Sequence, residues 1–247
     1  MKAIRRAMPR VLLLLALVVF AVPACATGNQ PGGSPSPTAT AEPPSPSPSA
    51  SPSPTPTITT PPPTTTAPSG WTVVSSRVAY QWRWPNADSQ ATVQHSSSDP
   101  VLVSIGAANH PNDPGTRPYN RMSFSFNFGY PTYSFQFVNQ LVGDGSGLPI
   151  PLAGKGVLRV VFHPARAHKL DGTASTIVSR PPANLGLSRM VAYANAGDFE
   201  GYVTYGIGIT WPDSSANPQI PVRVYEVTYV NPQGVHRYVV AFDVDAR

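Results

Sequence analysis

Between Ala26 and Gly70 the chain is built almost wholly from Pro, Ser, Thr, Gly and Ala. Runs such as Pro43-Pro44-Ser45-Pro46-Ser47-Pro48 and Pro61-Pro62-Pro63-Thr64-Thr65-Thr66 are typical, and Glu42 is the only charge. Such a stretch has no apolar surface to offset the entropy lost on ordering, so it reads as a disordered linker with polyproline II bias. Fully extended, it would reach about 140 Å at ~3.1 Å per residue. No core can include it. The 247 residues therefore fall into a short N-terminal piece (1–24), a linker (25–70) and one stretch long enough to fold (71–247).

The N-terminal piece has the layout of a secretory signal peptide. Lys2, Arg5, Arg6 and Arg10 precede the apolar run Val11 to Val22, and small residues follow it. The run is too short to span a bilayer, which takes ~20 apolar residues. Arg5-Arg6 leaves the twin-arginine route open beside the general secretory one. Cys25, the single cysteine, stands where such a signal is cut. Val22-Pro23-Ala24-Cys25 resembles a bacterial lipobox, although Pro23 occupies a position that usually holds a small or β-branched residue. The resemblance implies lipid attachment at Cys25, and thus the cell membrane as a partner and its outer face as the location. The alternative is cleavage at Ala24-Cys25-Ala26 by ordinary signal peptidase, giving a secreted protein.

Charge and cysteine content limit the folded part. Of 17 basic and 12 acidic residues, four Lys/Arg belong to the signal sequence, so the formal net charge of +5 is mostly leader. Past Arg10 no Lys/Arg cluster appears of the kind that neutralises nucleic-acid phosphates, and nucleic acid is not expected as a partner. With no cysteine after Cys25, residues 71–247 have neither disulfide nor thiolate metal site, and stability must come from burial.

Hydrophobic period supplies the fold class. Met122-Ser-Phe124-Ser-Phe126-Asn-Phe128 alternates strictly, as does Tyr133-Ser-Phe135-Gln-Phe137, with Gly129-Tyr130-Pro131 between them. The two runs read as a hairpin with its aromatics on one buried face. Further strands are expected at 77–84, 101–105, 157–162, 189–194, 202–210, 222–229 and 238–244, and Asn231-Pro232-Gln233-Gly234 marks a second hairpin turn. The expectation is an all-β domain: a β-sandwich of about eight to ten short, mainly antiparallel strands.

Several short strings in this domain resemble the AMIN-like domain of exported lipoproteins from high-GC Gram-positive bacteria. They are Asp144-Gly-Ser-Gly147, Pro151-Leu-Ala-Gly154, Val157 to Phe162, Gly197-Asp-Phe-Glu-Gly201, Arg223-Val-Tyr-Glu226 and Val239-Val-Ala-Phe-Asp243-Val. Upstream, His110 and Tyr119-Asn120-Arg121 look like the family's His and Tyr-Asp-Arg element, with Asn120 where Asp is expected; that change would deprive Arg121 of a carboxylate partner. The resemblance covers residues 101–244. It implies a sandwich related to AMIN domains, which target envelope proteins to peptidoglycan or to envelope assemblies, and it brings no catalytic or ligand residues with it.

The chemistry-bearing residues read mostly as structural. His163, His168 and Asp171 match no zinc spacing and fall at a strand end and loop, so no metal is expected. Gly145-Ser146-Gly147 lacks a nucleophile elbow and reads as a turn after Asp144. Asp198 and Glu200 flank Phe199 as solvated turn acids, and no catalytic residue or cofactor is expected. Gly206 and Gly208 alternate with bulky residues and call for close approach by another element. Tyr80-x-Trp82-x-Trp84 would place three aromatics on one strand face, either in the core or as a contact platform for glycan or protein. These three are the candidate ligand-binding residues. The reading is a non-enzymatic envelope lipoprotein whose tethered sandwich binds peptidoglycan, another wall polymer or an envelope protein. The alternatives are a hydrolase or enzyme accessory acting on wall glycan, and a secreted binder of a small hydrophobic ligand or lipid.

Overall fold

The structure, a computed structural model, describes residues 67–85, 90–212, 214 and 219–247. The N-terminal piece read as a signal peptide, Cys25 and nearly all of the stretch read as a linker lie outside the described residues. Among those described there is no helix. Two five-stranded antiparallel sheets pack face to face. In sheet order, the first holds β1 (Thr72–Arg83), β11 (Val222–Val230), β12 (His236–Asp245), β4 (Tyr119–Asn127) and β3 (Val101–His110). The second holds β2 (Ala91–Val93), β5 (Thr132–Val138), β8 (Gly156–His163), β10 (Tyr202–Ile209) and β9 (Met190–Phe199). A small hairpin, β6 (Leu141–Val142) with β7 (Pro149–Ile150), folds over the outer face of the second sheet.

Alternation sets which side chains fill the space between the sheets. Met122, Phe124 and Phe126 point inward from β4, as do Val240, Phe242 and Val244 from β12. Phe135, Phe162 and Tyr205 meet them from the second sheet. Phe242 sits at the centre, its ring 5.3 Å from Phe135, 5.8 Å from Tyr133 and 6.2 Å from Phe124. Stability of such a core scales with buried apolar area at roughly 25 cal/mol per Å².

The expected hairpin of β4 with β5 does not form. Phe128 and Gly129, both left-handed, turn the chain out of the first sheet and into the second. The two aromatic runs do line one core, but they face each other across it instead of pairing edge to edge. Alternation specifies a buried face; it leaves the hydrogen-bonding neighbour undetermined. The Asn231–Gly234 hairpin between β11 and β12 forms as expected, closed by Asn231 N–H to Val235 O at 3.1 Å.

The long connection from β8 to β9 closes one side of the sandwich. It covers the outer edge of β3 through Leu102 N–H to Arg166 O, Ile105 N–H to Ser179 O and Val178 N–H to Val103 O, each 2.8–2.9 Å. The glycines of β10 answer to packing, as their spacing suggested. A Cβ on Gly206 would stand 2.6 Å from Leu141 of the small hairpin, and one on Gly208 only 1.9 Å from the Ala153 carbonyl.

Candidate functional site

The small hairpin covers only one end of the second sheet's outer face, at Gly206, Val157 and Ala196. The other end is open as a groove of about 570 Å³, within the range usual for ligand sites. Strand register builds its floor in rows. Thr92, Ser134, Val161, Thr204 and Gly197 are successive cross-strand partners from β2 to β9. Two residues further along, Thr132 pairs with His163, and Tyr202 pairs with Phe199. Two residues the other way lie Gln136 and Arg159.

Each row has a different chemistry. Phe199 and Tyr202 flank the two-residue turn Glu200-Gly201, whose φ values of 51° and 79° are those of a type I′ hairpin. The turn sets the two rings side by side on the groove rim, where Phe199 is 69% exposed and Tyr202 45%. His163 stacks on Tyr202 at 4.0 Å between centroids. The middle row is hydroxyl-bearing. Thr204 is fully buried at its floor, and its Oγ1 has no hydrogen-bond partner. In the last row, Arg159 Nη2 donates to Asp144 Oδ1 at 3.0 Å, and both side chains keep about a quarter of their surface exposed. Asp144 belongs to the turn of the small hairpin, held by its N–H to Ala196 O at 2.9 Å. It lies over Gly197, where any Cβ would come within 2.6–3.0 Å of its side chain.

The groove therefore offers aromatic faces at one end, hydroxyls in the middle and a charged donor–acceptor pair at the other end. The residues that form it are ones the sequence showed only piecemeal. The AMIN-like domain model matches residues 101–243. The chain belongs to the AMIN-like domain family. No curated protein and no solved structure matches it.

Outside the residues that the AMIN-like domain model covers, the sequence-predicted candidates separate. Tyr80 is buried in the core, edge-on to Phe135 at 4.9 Å. Between Tyr80 and Arg83 two residues of β1, Gln81 and Trp82, oppose the single Arg223 of β11, and this bulge turns Trp82 to the outer face of the first sheet. There Trp82 lies half-buried under the guanidinium groups of Arg223 at 4.7 Å and Arg117 at 4.9 Å. Trp84 lies partly buried beyond the end of β1, its indole nitrogen out of water and without a partner. The single-face platform of Tyr80, Trp82 and Trp84 is thus not formed. A two-residue period fails wherever a bulge inserts a third.

His163, His168 and Asp171 also diverge. His163 stacks on Tyr202, His168 Nδ1 meets Asp198 Oδ2 at 2.9 Å, and Asp171 accepts the Thr173 N–H and hydroxyl in a local turn. Asp198 also accepts the Ala167 N–H at 3.0 Å, so it fastens the β8–β9 connection instead of floating as a solvated turn acid.

Five residues of the family strings, His110, Tyr119, Arg121, Arg223 and Asp243, converge on the first sheet's outer face, away from the groove. Asp243, with no exposed surface, accepts Arg121 Nε and Nη2 at 2.6 and 2.9 Å, and Arg223 Nε and Nη2 at 2.9 and 2.6 Å. Tyr119 lies under both guanidinium groups and stacks on His110, 4.5 Å away. Arg121 therefore has its carboxylate already. A carboxylate at position 120 would not have supplied one, because neighbouring strand residues face opposite ways. Asn120 points inward, where its Oδ1 accepts the N–H groups of Arg189 and Met190 at 2.7 and 3.0 Å and fixes the start of β9.

A second buried carboxylate, Glu226, joins the sheets at the β1/β2 side. It accepts Arg77 Nε at 2.7 Å and Tyr133 O–H at 2.7 Å, and pairs with His95 Nε2 at 2.8 Å. Burial alone would raise its pKa, but the hydrogen bonds from His95, Arg77 and Tyr133 outweigh burial and hold it below the usual carboxylate range. A folded value below the unfolded one, near 4.3, stabilises the domain above that pH, and the contribution is lost as pH falls through the folded value. Glu226→Gln is expected to lower stability by about 2 kcal/mol at neutral pH. It should also flatten the acid limb of a stability-versus-pH curve, as read from urea midpoints between pH 2 and 7. An acid limb identical to that of the unsubstituted protein would show that Glu226 is not the group responsible.

Proposed function

We propose that the domain is a non-enzymatic binding module of the cell envelope and that its groove holds a glycan strand of the cell wall. AMIN-like domains are extracytoplasmic envelope domains, and membership in that family supports the location. The observation that carries the ligand is the pair Phe199 and Tyr202, presented by one tight turn over a floor of hydroxyls. Sugar rings combine apolar C–H faces with dense hydroxyls, and such a surface matches both. A lipid chain finds no match in the threonines, the serine and the Arg159–Asp144 pair. In this reading Cys25 carries a lipid, and the residues between it and Ala67 form the tether that lets the domain reach the wall.

The test is retention of the protein on purified sacculi, competed with soluble wall glycan. Phe199→Ala with Tyr202→Ala is expected to weaken retention roughly tenfold or more, since each lost ring contact is worth about 0.5–1.5 kcal/mol. The unfolding midpoint should hardly move, because both rings are on the surface. Unchanged retention by a folded double variant would remove the groove as the glycan site. Lipidation is tested separately by the intact mass of the mature N-terminus, where an unmodified residue would exclude the anchor.

A further inference from the structure

The Asp144–Arg159 end of the groove does more than a general sugar surface needs. Arg159 spends one N–H on Asp144, and its side chain is still 27% exposed. A guanidinium carries five donors, so further donors are available to the groove. Asp144 meets Arg159 through Oδ1 alone. One row away, Val161 is the aliphatic side chain between Ser134 and Thr204.

Resting on the glycan reading above, we propose that this end of the groove recognises an acetamido group on the sugar. The Asp144 carboxylate accepts the amide N–H. Arg159 donates to the amide oxygen and Val161 seats the methyl. A single group with one donor, one acceptor and a small apolar cap fits this arrangement. A bare hydroxyl can donate to Asp144 and accept from Arg159, but it leaves Val161 without an apolar partner. An ammonium group in the same place meets Arg159. A phosphate-bearing polymer is disfavoured by Asp144 and Glu200, which together outweigh Arg159 in charge along the groove. The aromatic rim lies two rows from Arg159, roughly 14 Å at ~3.4 Å per residue. That span exceeds one pyranose, so ring stacking and amide reading fall on different sugars of one chain.

Three tetrasaccharides with the same β-1,4 backbone separate the possibilities: one fully N-acetylated at C2, one with free C2 amines and one with C2 hydroxyls. Binding to the full-length protein is read by calorimetry. The acetylated chain is expected to bind at least tenfold more tightly than either of the others. Val161→Ser is expected to weaken the acetylated chain and leave the hydroxyl chain unchanged, because only the acetamido methyl meets that side chain. Arg159→Gln is expected to weaken both the acetylated and the hydroxyl chains, since each presents an acceptor oxygen to the guanidinium. Equal affinity for acetylated and hydroxyl chains would overturn the acetamido assignment while leaving a glycan groove in place. Sacculus retention that depends on Phe199 and Tyr202, with no binding of the acetylated chain, would also overturn it. Loss of both measurements would overturn the glycan reading itself.

Discussion

Asp243→Ala is expected to destabilise the domain by about 3–5 kcal/mol, the range for removing one partner from a buried ion pair. Arg121 and Arg223 keep only 8% and 7% of their side-chain surface and share this one carboxylate. Neither can shed its proton, so the substitution leaves two cations out of water with aromatic faces for company. A domain of ordinary stability, about 5–15 kcal/mol, would lose a fifth or more of it. Asp243→Asn should cost nearly as much, because an amide of the same size cannot neutralise either guanidinium. Replacing all three charges at once, Arg121→Met, Asp243→Leu and Arg223→Met, should restore much of the loss. Urea midpoints of the four proteins decide the matter. A loss below 1 kcal/mol for Asp243→Ala would mean that the two guanidiniums reach water when released.

Phe242→Ala, one residue away, should cost a similar 3–5 kcal/mol by a different route. Its side chain points to the other face of β12 and lies between the sheets with no exposed surface, within ring contact of Phe124, Tyr133, Phe135 and Phe162. Truncation leaves a cavity that two stiff sheets cannot close. The loss should be insensitive to salt and pH, whereas the Asp243 loss should vary with solvent access to the two arginines. Phe242→Leu, which refills part of the volume, should recover a large share. If Phe242→Ala unfolded less than 1 kcal/mol more easily, the sheets would have to collapse onto the gap, against the density of aromatic packing seen there.

Residues 242 and 243 also mark what the sequence could and could not disclose. Phe242 was legible, because Val-Ala-Phe-Asp-Val in an alternating run predicts an inward aromatic. The role of Asp243 was hidden. Its partners lie 20 and 122 positions away, and only strand order brings them together. The strands themselves were legible where one face is buried over several residues, as in β4, β10 and β12. β2, with three residues, and β6 and β7, with two each, are too short to show a period. The aromatic triplet of β1 misled because a bulge interrupts it. The groove was missed because its floor comes from five strands. One local signal was available: Phe199-Glu-Gly-Tyr202 is an aromatic pair astride a two-residue turn, and such a pair must project both rings together.

The place where the chain enters the domain has a mechanical consequence. Trp71 packs beside Tyr225 and Tyr229 on the outer face of the first sheet, under Arg237 at 5.4 Å, and β1 begins at the next residue. The groove lies on the outer face of the other sheet. Tension between an anchor upstream and a polymer held in the groove would therefore pass through the full thickness of the sandwich. It would enter at the Thr72–Val230 pair and spread along the ladder toward Arg83. Rupture would begin by detaching β1 from β11, leaving the four remaining strands of that sheet hydrogen-bonded to one another. Single-molecule pulling from the N-terminus should show that detachment as a first, separate force step.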